Sequence, residues 1–213
     1  MNNPWERITA EEYEKHMKLI NQHDLLNRIF KEQINENNVS EICILGIGYG
    51  NGLEHIKPNT KVYGYDINPF FLDRCRSRTL FEKGKSNIEL KLYRVDLSDH
   101  KENVHSCELV ICNLVLEFLD IFNFIRLVKK ANPKLISIVL QVTIEKKKAI
   151  SESPYTNTFR DVASIRAEIN PKDLTYLLKK AGYNLKCSKT YDIDQTKYLI
   201  RLDYNKVSEE NSD

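Results

Sequence analysis

Short apolar runs alternate with longer segments of helical periodicity along most of this 213-residue chain. Near-continuous apolar runs are typical of buried parallel strands, whereas apolar positions three and four residues apart are typical of helices. We therefore predict seven strands, over residues 41–46, 61–66, 88–95, 107–113, 134–143, 183–191 and 197–204. Between them we predict helices over residues 51–56, 69–83, 120–131 and 171–181, each of which ends shortly before a proline or a glycine.

The order of these elements predicts the fold class. Repeated strand–helix units form a parallel sheet with right-handed crossovers. The last two strands are joined by the short polar segment 192–196, which predicts a hairpin and an antiparallel edge strand. We expect an α/β protein, a three-layer α/β/α sandwich around a seven-stranded, mostly parallel sheet with an antiparallel C-terminal edge hairpin.

The segments outside this pattern predict the remaining organisation. Residues 8–37 have helical periodicity, begin with a capping-box pair at Thr9 and Glu12, and contain a polar break near 21–24. We predict an N-terminal helical lid over 1–38 and one domain over 39–206. That domain carries a polar insertion at 145–160, and a disordered tail follows at 207–213.

Composition narrows the possible partners. A formal charge of +2, from 32 basic and 30 acidic residues, provides no footprint for non-specific nucleic-acid binding, so no nucleic-acid partner is expected. No apolar run reaches the ~18 residues that span a bilayer, and the first residues lack a signal-peptide pattern. The five cysteines lack metal-ligand spacing and read as reduced thiols. We expect a cytoplasmic protein without membrane or metal binding.

The most distinctive motif follows the first strand, where Gly46, Gly48, Gly50 and Gly52 occur at every second position. Such a turn lets backbone approach a ligand, although it can also be a tight strand–helix turn. The second strand ends at Asp66, whose carboxylate could accept both ribose hydroxyls or, alternatively, cap the next helix. The pattern predicts a site for an adenosine-type cofactor.

The glycine spacing separates two cofactor classes. Dinucleotide enzymes use G-x-G-x-x-G, in which the third glycine lets the helix pack on the strand. Counted from Gly46, that position is Asn51, and the chain reads G-x-G-x-G instead. This spacing suits a sulfonium amino acid and a ribose beside the backbone, with no pyrophosphate to bind.

With these motifs, and with Asp96 and Asn113 after later strands, the sequence resembles the class I (Rossmann-like) S-adenosylmethionine-dependent methyltransferases over residues 41–143. The turn from Gly50 to His55 and the segment from Tyr13 to Met17 look like those of a bacterial small-molecule subgroup. The resemblance implies S-adenosylmethionine as cofactor and S-adenosylhomocysteine as product. It implies ribose binding by Asp66, adenine binding by Asp96, and a place beside the transferable methyl for Asn113. The predicted cofactor-binding residues are Gly46, Gly48, Gly50, Asn51, Asp66, Ile67, Asp96, Leu97 and Asn113.

Several of these residues also have structural interpretations, and one position departs from the family. Asp96 could form a turn with Ser98, and Asn113 could bind loop backbone. The family usually carries an acid two residues before the first glycine of the turn, where this chain has Ile44. The contact of that acid to the cofactor must come from elsewhere or be lost.

Catalytic residues are predicted only as candidates, because methyl transfer needs a base only when the acceptor must lose a proton. The candidates are Glu117, after the fourth predicted strand, and Tyr13 and His16 on the first helix. The alternatives are a core contact for Tyr13, a solvated His16, and a solvated or capping Glu117.

The acceptor is expected to be a small molecule methylated on O or N, because little chain remains to grip a macromolecule. Its candidate binding residues are Tyr13, Met17, Tyr155 and Arg160. A monomer or a homodimer is expected. Two other classes stay open, an NAD(P)-dependent Rossmann oxidoreductase and a non-catalytic adenosine-ligand-binding protein.

Overall fold

The computed structural model describes residues 3–81, 88–144 and 151–207. Within these residues, the strands are β1 (Glu41–Leu45), β2 (Lys61–Asp66), β3 (Glu89–Arg94), β4 (Leu109–Asn113), β5 (Leu135–Thr143), β6 (Tyr183–Asp194) and β7 (Lys197–Lys206). The helices are α1 (Ala10–Leu19), α2 (Gln22–Asn35), α3 (Pro69–Phe81), α4 (Ile121–Ala131), α5 (Arg160–Ile165) and α6 (Pro171–Lys180). Short 3-10 turns cover Pro4–Arg7, Leu53–His55, Leu116–Phe118 and Thr156–Phe159.

The strands form one sheet in the order β3-β2-β1-β4-β5-β7-β6. The strands β1 to β5 pair in parallel, and β7 pairs antiparallel with both β5 and β6. The predicted seven-stranded, mostly parallel sheet and its C-terminal hairpin are therefore confirmed. The reversed strand is β7, however, which lies inside the sheet, while the edge strand β6 runs parallel to β1–β5. The predicted antiparallel edge strand is wrong in this detail, because the hairpin docks through its second strand.

Helices cover both faces of the sheet, as the side chains of β1 illustrate. Ile42 and Ile44 point to one face and pack in a cluster with residues of α2 and α3. Cys43 and Cys112 lie on the other face, in a larger cluster with residues of α4 and α6. Both thiols are buried. The three-layer α/β/α sandwich predicted from the sequence is confirmed.

The predicted lid of residues 1–38 divides at Asn21, which has a left-handed backbone with φ of 59°. Beyond it, α2 buries Ile29, Phe30 and Ile34 and forms part of one helical layer of the sandwich. Only the turn Pro4–Arg7 and α1 remain over the loops that follow β1 and β2. They are held there by Asn68, whose Nδ2 donates to the carbonyls of Trp5 and Ile8, each at 2.7 Å.

Other boundaries shift for local reasons. The predicted helix 51–56 is only the 3-10 turn Leu53–His55, because Gly50 and Gly52 have φ of +80° and +96° and Pro58 follows closely. The insertion predicted at 145–160 contains the turn Thr156–Phe159 and leads into α5. Its residues 145–150 lie outside the described residues, as do 82–87 and the predicted disordered tail from 208 onward.

Candidate functional site

The turn after β1 brings glycine backbone to the carboxyl ends of β1 and β2. Gly46 has φ of +69°, and a Cβ there would lie 2.1 Å from Val115 Cγ2. Gly48 has φ of +57°, but a Cβ there would meet no atom within 4 Å. Gly46 therefore permits close packing against the segment after β4, whereas Gly48 borders open space that a ligand could fill.

Asp66 ends β2 directly beside this turn. Its Oδ2 accepts from the Gly48 amide and its Oδ1 from the Asn68 amide, each at 2.9 Å. Burial raises the pKa of this carboxyl to about 6, although both hydrogen bonds act in the opposite direction. The helix-capping alternative does not describe Asp66, because the contacts to the first amides of α3 come from Asn68 Oδ1.

Three cavities share lining residues at this edge of the sheet. The Asp66 cavity, of about 100 Å³, is lined by Gly46, Gly48, Asp66, Ile67, Asp96, Leu97 and Asn113, with aromatic rings from the N-terminal segment. The glycine cavity, of about 90 Å³, is lined by Gly46, Gly48, Gly50, Asn51 and Asn113, with Tyr13 and Met17 from α1. The structure therefore gathers all nine cofactor candidates around two adjoining cavities.

The third cavity is lined by all three catalytic candidates. This Glu117 cavity, of about 80 Å³, is lined by Tyr13, His16, Met17 and Glu117, and by residues of the 151–166 segment. Tyr13 lines all three cavities. Tyr13 is therefore a core contact, as the alternative interpretation predicted, and it also lies at the centre of the site.

Asp96 forms a loop turn and also lines the Asp66 cavity. Its Oδ1 accepts from the amide of Ser98 at 2.9 Å and from the Ser98 hydroxyl at 2.6 Å, which forms the turn considered from the sequence. Among the described residues, Oδ2 has no hydrogen bond, and the side chain lines the Asp66 cavity. One oxygen shapes the loop while the other is free to accept from a ligand.

Asn113 and Asn51 are held by α2 rather than left open. The amides of Asn113 and Gln33 donate to each other's oxygens at 2.9 Å in both directions. Asn51 Oδ1 accepts from Asn27 at 3.0 Å, and its Nδ2 donates to the carbonyl of His23 at 2.9 Å. The side-chain amides of both candidates therefore fix the walls of the glycine cavity.

Ile44 lies in an apolar part of the glycine cavity, next to Leu26 and Phe30. It is 5% exposed and packs in the cluster that joins α2 to the sheet. Within the described residues, no carboxylate lines this cavity. The departure from the family motif therefore leaves this end of the site without a negative charge.

Glu117 lies in the 3-10 turn after β4 and is 2% exposed. Its Oε1 accepts from the Gln141 amide at 2.9 Å, and its Oε2 is buried without a hydrogen-bond partner among the described residues. Burial raises the pKa of this carboxyl. The solvated alternative for Glu117 is therefore wrong.

His16 is buried as well, so its solvated alternative is also wrong. Its Nδ1 lies 2.7 Å from Ser153 Oγ, and its ring packs 4.5 Å from the ring of Phe159. Burial, with a smaller contribution from Lys197, lowers the pKa of His16 and favours the neutral ring.

The four acceptor-binding candidates separate into two groups. Tyr13 and Met17 line the cavities, and Tyr155 is half-buried against the aromatic cluster that surrounds Tyr13. Arg160 is exposed and donates to Asn157 at 2.7 Å, outside the cavity linings. The structure brings Tyr13, Met17 and Tyr155 together and leaves Arg160 at the surface.

Sequence reasoning missed several side chains that shape the site. Trp5 and Phe118 line both the Asp66 cavity and the Glu117 cavity, with ring centroids 5.0 Å apart. Gln33 is fully buried beneath Asn113. A signal for Gln33 exists, since it is a polar residue on the apolar face of α2, spaced by four and three residues from Ile29 and Phe30.

Within the residues that the structure describes, no group of three or more histidine, cysteine, aspartate or glutamate side chains is arranged to hold a metal ion. No helix in the same residues has the length and apolar character needed to cross a membrane.

Comparisons with known proteins find similarity in structure and none in sequence. No protein-family model matches the chain, and no curated protein matches it. Magnesium protoporphyrin IX methyltransferase from Synechocystis PCC 6803, with bound S-adenosylhomocysteine, is 12% identical with a TM-score of 0.64 over 91% of this chain and 86% of that one.

Two other solved structures are similar to the same extent. A methyltransferase from Clostridium acetobutylicum is 11% identical with a TM-score of 0.62, over 93% of this chain and 98% of that one. The (4+2)-cyclase SpnF is 11% identical with a TM-score of 0.63, over 86% of this chain and 80% of that one. At these identities the likeness establishes the fold and leaves the reaction open.

Proposed function

This chain has the class I S-adenosylmethionine-dependent methyltransferase fold, and on that premise we propose that it is a methyltransferase for a small molecule. It uses S-adenosylmethionine, transfers the methyl group to O or N of the acceptor, and releases S-adenosylhomocysteine. The observation that carries the proposal is the Asp66 cavity, where three sequence-distant motifs line one space. Those motifs are the glycine turn, the carboxylate after β2 and the Asp96 loop after β3.

The residues present fit this cofactor. Asp66 would accept from the ribose hydroxyls, since each of its oxygens uses one lone pair on backbone. Asp96 Oδ2 would accept from the adenine amino group, and the open space beside Gly48 would admit the ligand. When bound, S-adenosylmethionine supplies an electrophilic methyl group on a sulfonium centre, which Tyr13, between the three cavities, would help to enclose.

The two alternatives differ in what they need from this site. A dinucleotide enzyme needs a glycine where the chain has Asn51, which instead ties the turn to α2. A non-catalytic binder of adenosine ligands is favoured by Ile44, because the glycine cavity lacks a carboxylate among the described residues. Ligand titration and a methyl-transfer assay distinguish these two alternatives from a methyltransferase.

The test is a calorimetric titration of the purified protein with S-adenosylmethionine, S-adenosylhomocysteine and NADH. Binding of the first two without NADH supports the proposal, and methyl transfer from labelled cofactor into a metabolite extract completes it. Binding of NADH alone would assign an oxidoreductase. Tight binding of both adenosyl ligands with no transfer to any acceptor pool would assign the non-catalytic binder.

A cytoplasmic location belongs to the same proposal. Cys43, Cys107 and Cys112 are buried thiols that form no disulfide. Unpaired thiols are usual for proteins of reducing compartments.

Gly48→Ala should weaken the binding of S-adenosylhomocysteine by roughly tenfold, or about 1.4 kcal/mol. The added methyl would project into the open space beside the turn. The positive φ should also cost about 1–2 kcal/mol of stability. Gly182→Ala is the matched control, because Gly182 has φ of +90° and an equally empty surrounding, but follows α6 away from the cavities. Equal affinity losses in both variants would contradict the prediction.

Cofactor affinity should depend on pH through Asp66. Its pKa of about 6 in the free protein means that the carboxylate predominates above that pH and the neutral acid below it. Ribose hydroxyls donate to the carboxylate, so affinity should be full near pH 8 and fall by up to about tenfold per unit below pH 6. Titrations with S-adenosylhomocysteine from pH 5 to 8 measure this, and Asp66→Asn should bind weakly with a flat profile. The same slope in both proteins would assign the dependence to another group.

A further inference from the structure

We propose that the methyl acceptor is a small amine whose nitrogen is bound by Glu117, an inference that rests on the methyltransferase function proposed above. The Glu117 cavity combines a buried carboxylate oxygen that lacks a donor with walls of aromatic rings. This combination recognises an ammonium or amine group and distinguishes it from hydroxyl, carboxylate and phosphate groups.

The first observation is the unpartnered oxygen. Glu117 is 2% exposed, and the Gln141 amide occupies only Oε1. Buried polar atoms in proteins are nearly always hydrogen-bonded, and a buried carboxylate oxygen without a donor is costly. Oε2 therefore lacks a donor that a ligand in the adjoining cavity would supply.

The second observation concerns the charges around that oxygen. Arg166 lines the same cavity and forms an ion pair with Glu117, with Nη2 3.9 Å from Oε1, while its hydrogen bond goes to the carbonyl of Gln141 at 2.9 Å. His16 lines the same cavity, and burial favours its neutral form. The Arg166 contact involves Oε1, so Oε2 is the carboxylate atom left to accept from a cationic or hydrogen-donating ligand.

The third observation is the wall of the cavity. Trp5 lies 5.0 Å from Phe118 and 5.8 Å from Tyr13, and Tyr13 lies 6.1 Å from Phe159, measured between ring centroids. Aromatic faces attract an ammonium group, and the attraction grows when water is excluded. A carboxylate or a phosphate has no proton to donate to Oε2 when it is ionised, and an alcohol would gain nothing from the rings beyond apolar contact.

Glu117 would also accept the proton that the amine must lose before it is methylated. An ammonium that binds as R–NH₃⁺ gives a proton to Glu117, whose raised pKa makes it a suitable acceptor, and becomes R–NH₂. The nitrogen lone pair then forms the C–N bond while the sulfur–carbon bond breaks and its electron pair stays on sulfur. The methylated product carries the resulting positive charge as it leaves, and Glu117 releases its proton to solvent, which restores the carboxylate for the next acceptor.

The test uses protein saturated with S-adenosylhomocysteine and titrated with paired probes of one skeleton, such as benzylamine with benzyl alcohol and propylamine with propanol. At least one amine should bind tenfold or more tightly than its alcohol. Glu117→Gln should abolish that preference while S-adenosylhomocysteine affinity stays unchanged. Glu168→Gln, an exposed glutamate on the segment just beyond Arg166, is the matched control and should behave as the native protein does.

The outcomes separate the two proposals. If S-adenosylhomocysteine itself does not bind, the proposed function fails and takes this inference with it. If it binds but no amine is preferred over its alcohol, or the preference survives in Glu117→Gln, the amine assignment is overturned while the methyltransferase proposal stands. A folded Glu117→Gln protein is verified by its unchanged cofactor affinity, and Glu117→Asp serves as a second variant if it does not fold.

Discussion

Arg201→Met is expected to lower the free energy of unfolding by about 3–5 kcal/mol, as the loss of one partner from a buried ion pair does. Arg201 is fully buried in β7. Its Nε and Nη2 bind Asp203 at 3.0 and 2.7 Å, and Nη2 also lies 2.8 Å from Oε2 of Glu36, the residue that follows α2. Methionine keeps the apolar stem and leaves the buried Asp203 carboxylate without its cation.

The control for this variant removes both charges. Because the desolvation cost of a buried pair can exceed its attraction, Arg201→Met combined with Asp203→Leu should recover a large part of the lost stability. Urea unfolding of the two single variants and the double variant measures this coupling. A loss of unfolding free energy under about 1 kcal/mol in Arg201→Met would contradict the prediction, and so would a double variant that is no more stable than Arg201→Met.

A chain of hydrogen bonds connects Asp203 in β7 to the cofactor cavities. Asp203 accepts from the Ser137 hydroxyl, and Ser137 Oγ accepts from Gln33 at 2.8 Å. Gln33 in turn pairs with Asn113 on the wall of both cofactor cavities. The wall at Asn113 therefore depends on a chain of contacts that begins in β7.

Asp66→Ala is expected to weaken the binding of S-adenosylmethionine by about 1–3 kcal/mol, or roughly 5- to 150-fold. The variant removes the acceptor that the ribose hydroxyls would use at the end of β2. It also frees the amides of Gly48 and Asn68, so the turn itself loses two hydrogen bonds. Calorimetric titration measures the affinity.

Two companion measurements make this prediction specific. Asp173→Ala changes an exposed aspartate on α6, on the other face of the sheet, and should leave the affinity unchanged. Thermal unfolding of Asp66→Ala without cofactor reports how much of the effect is structural. Unchanged affinity in a folded Asp66→Ala protein would overturn the assignment of Asp66 to the ribose.

The fold was predictable because its signals are local. The strands β1, β4 and β5 are separate apolar runs, β3 alternates charged and apolar residues, and a proline or a glycine lies soon after each predicted helix. The alternation of strands and helices could therefore be read from neighbouring residues. The place of β7 between β5 and β6 could not be read in this way, because a hairpin can dock through either strand. The helix predicted over residues 51–56 was wrong for a local reason, since the left-handed backbone at both Gly50 and Gly52 leaves room for only one 3-10 turn.

The cofactor candidates were predictable to the extent that each follows directly from the end of a strand. The carboxyl ends of parallel strands meet at one edge, so Gly48, Asp66 and Asp96 had to lie close together. Gln33 was missed because its partner Asn113 lies 80 residues away in the sequence, and the contact of Arg201 with Glu36 spans 165 residues. Which ligand these residues bind stays a prediction.

The insertion of β7 between β5 and β6 also determines when the site is complete during folding. The last strand in sequence must pair on both of its edges before Arg201 can reach α2, across a separation of 165 residues. Contacts of such range form slowly, because the chain must close a long loop before they gain anything. The first two-thirds of the chain contain every residue assigned to the cofactor, yet a nascent protein should acquire cofactor affinity only after its final strand has docked.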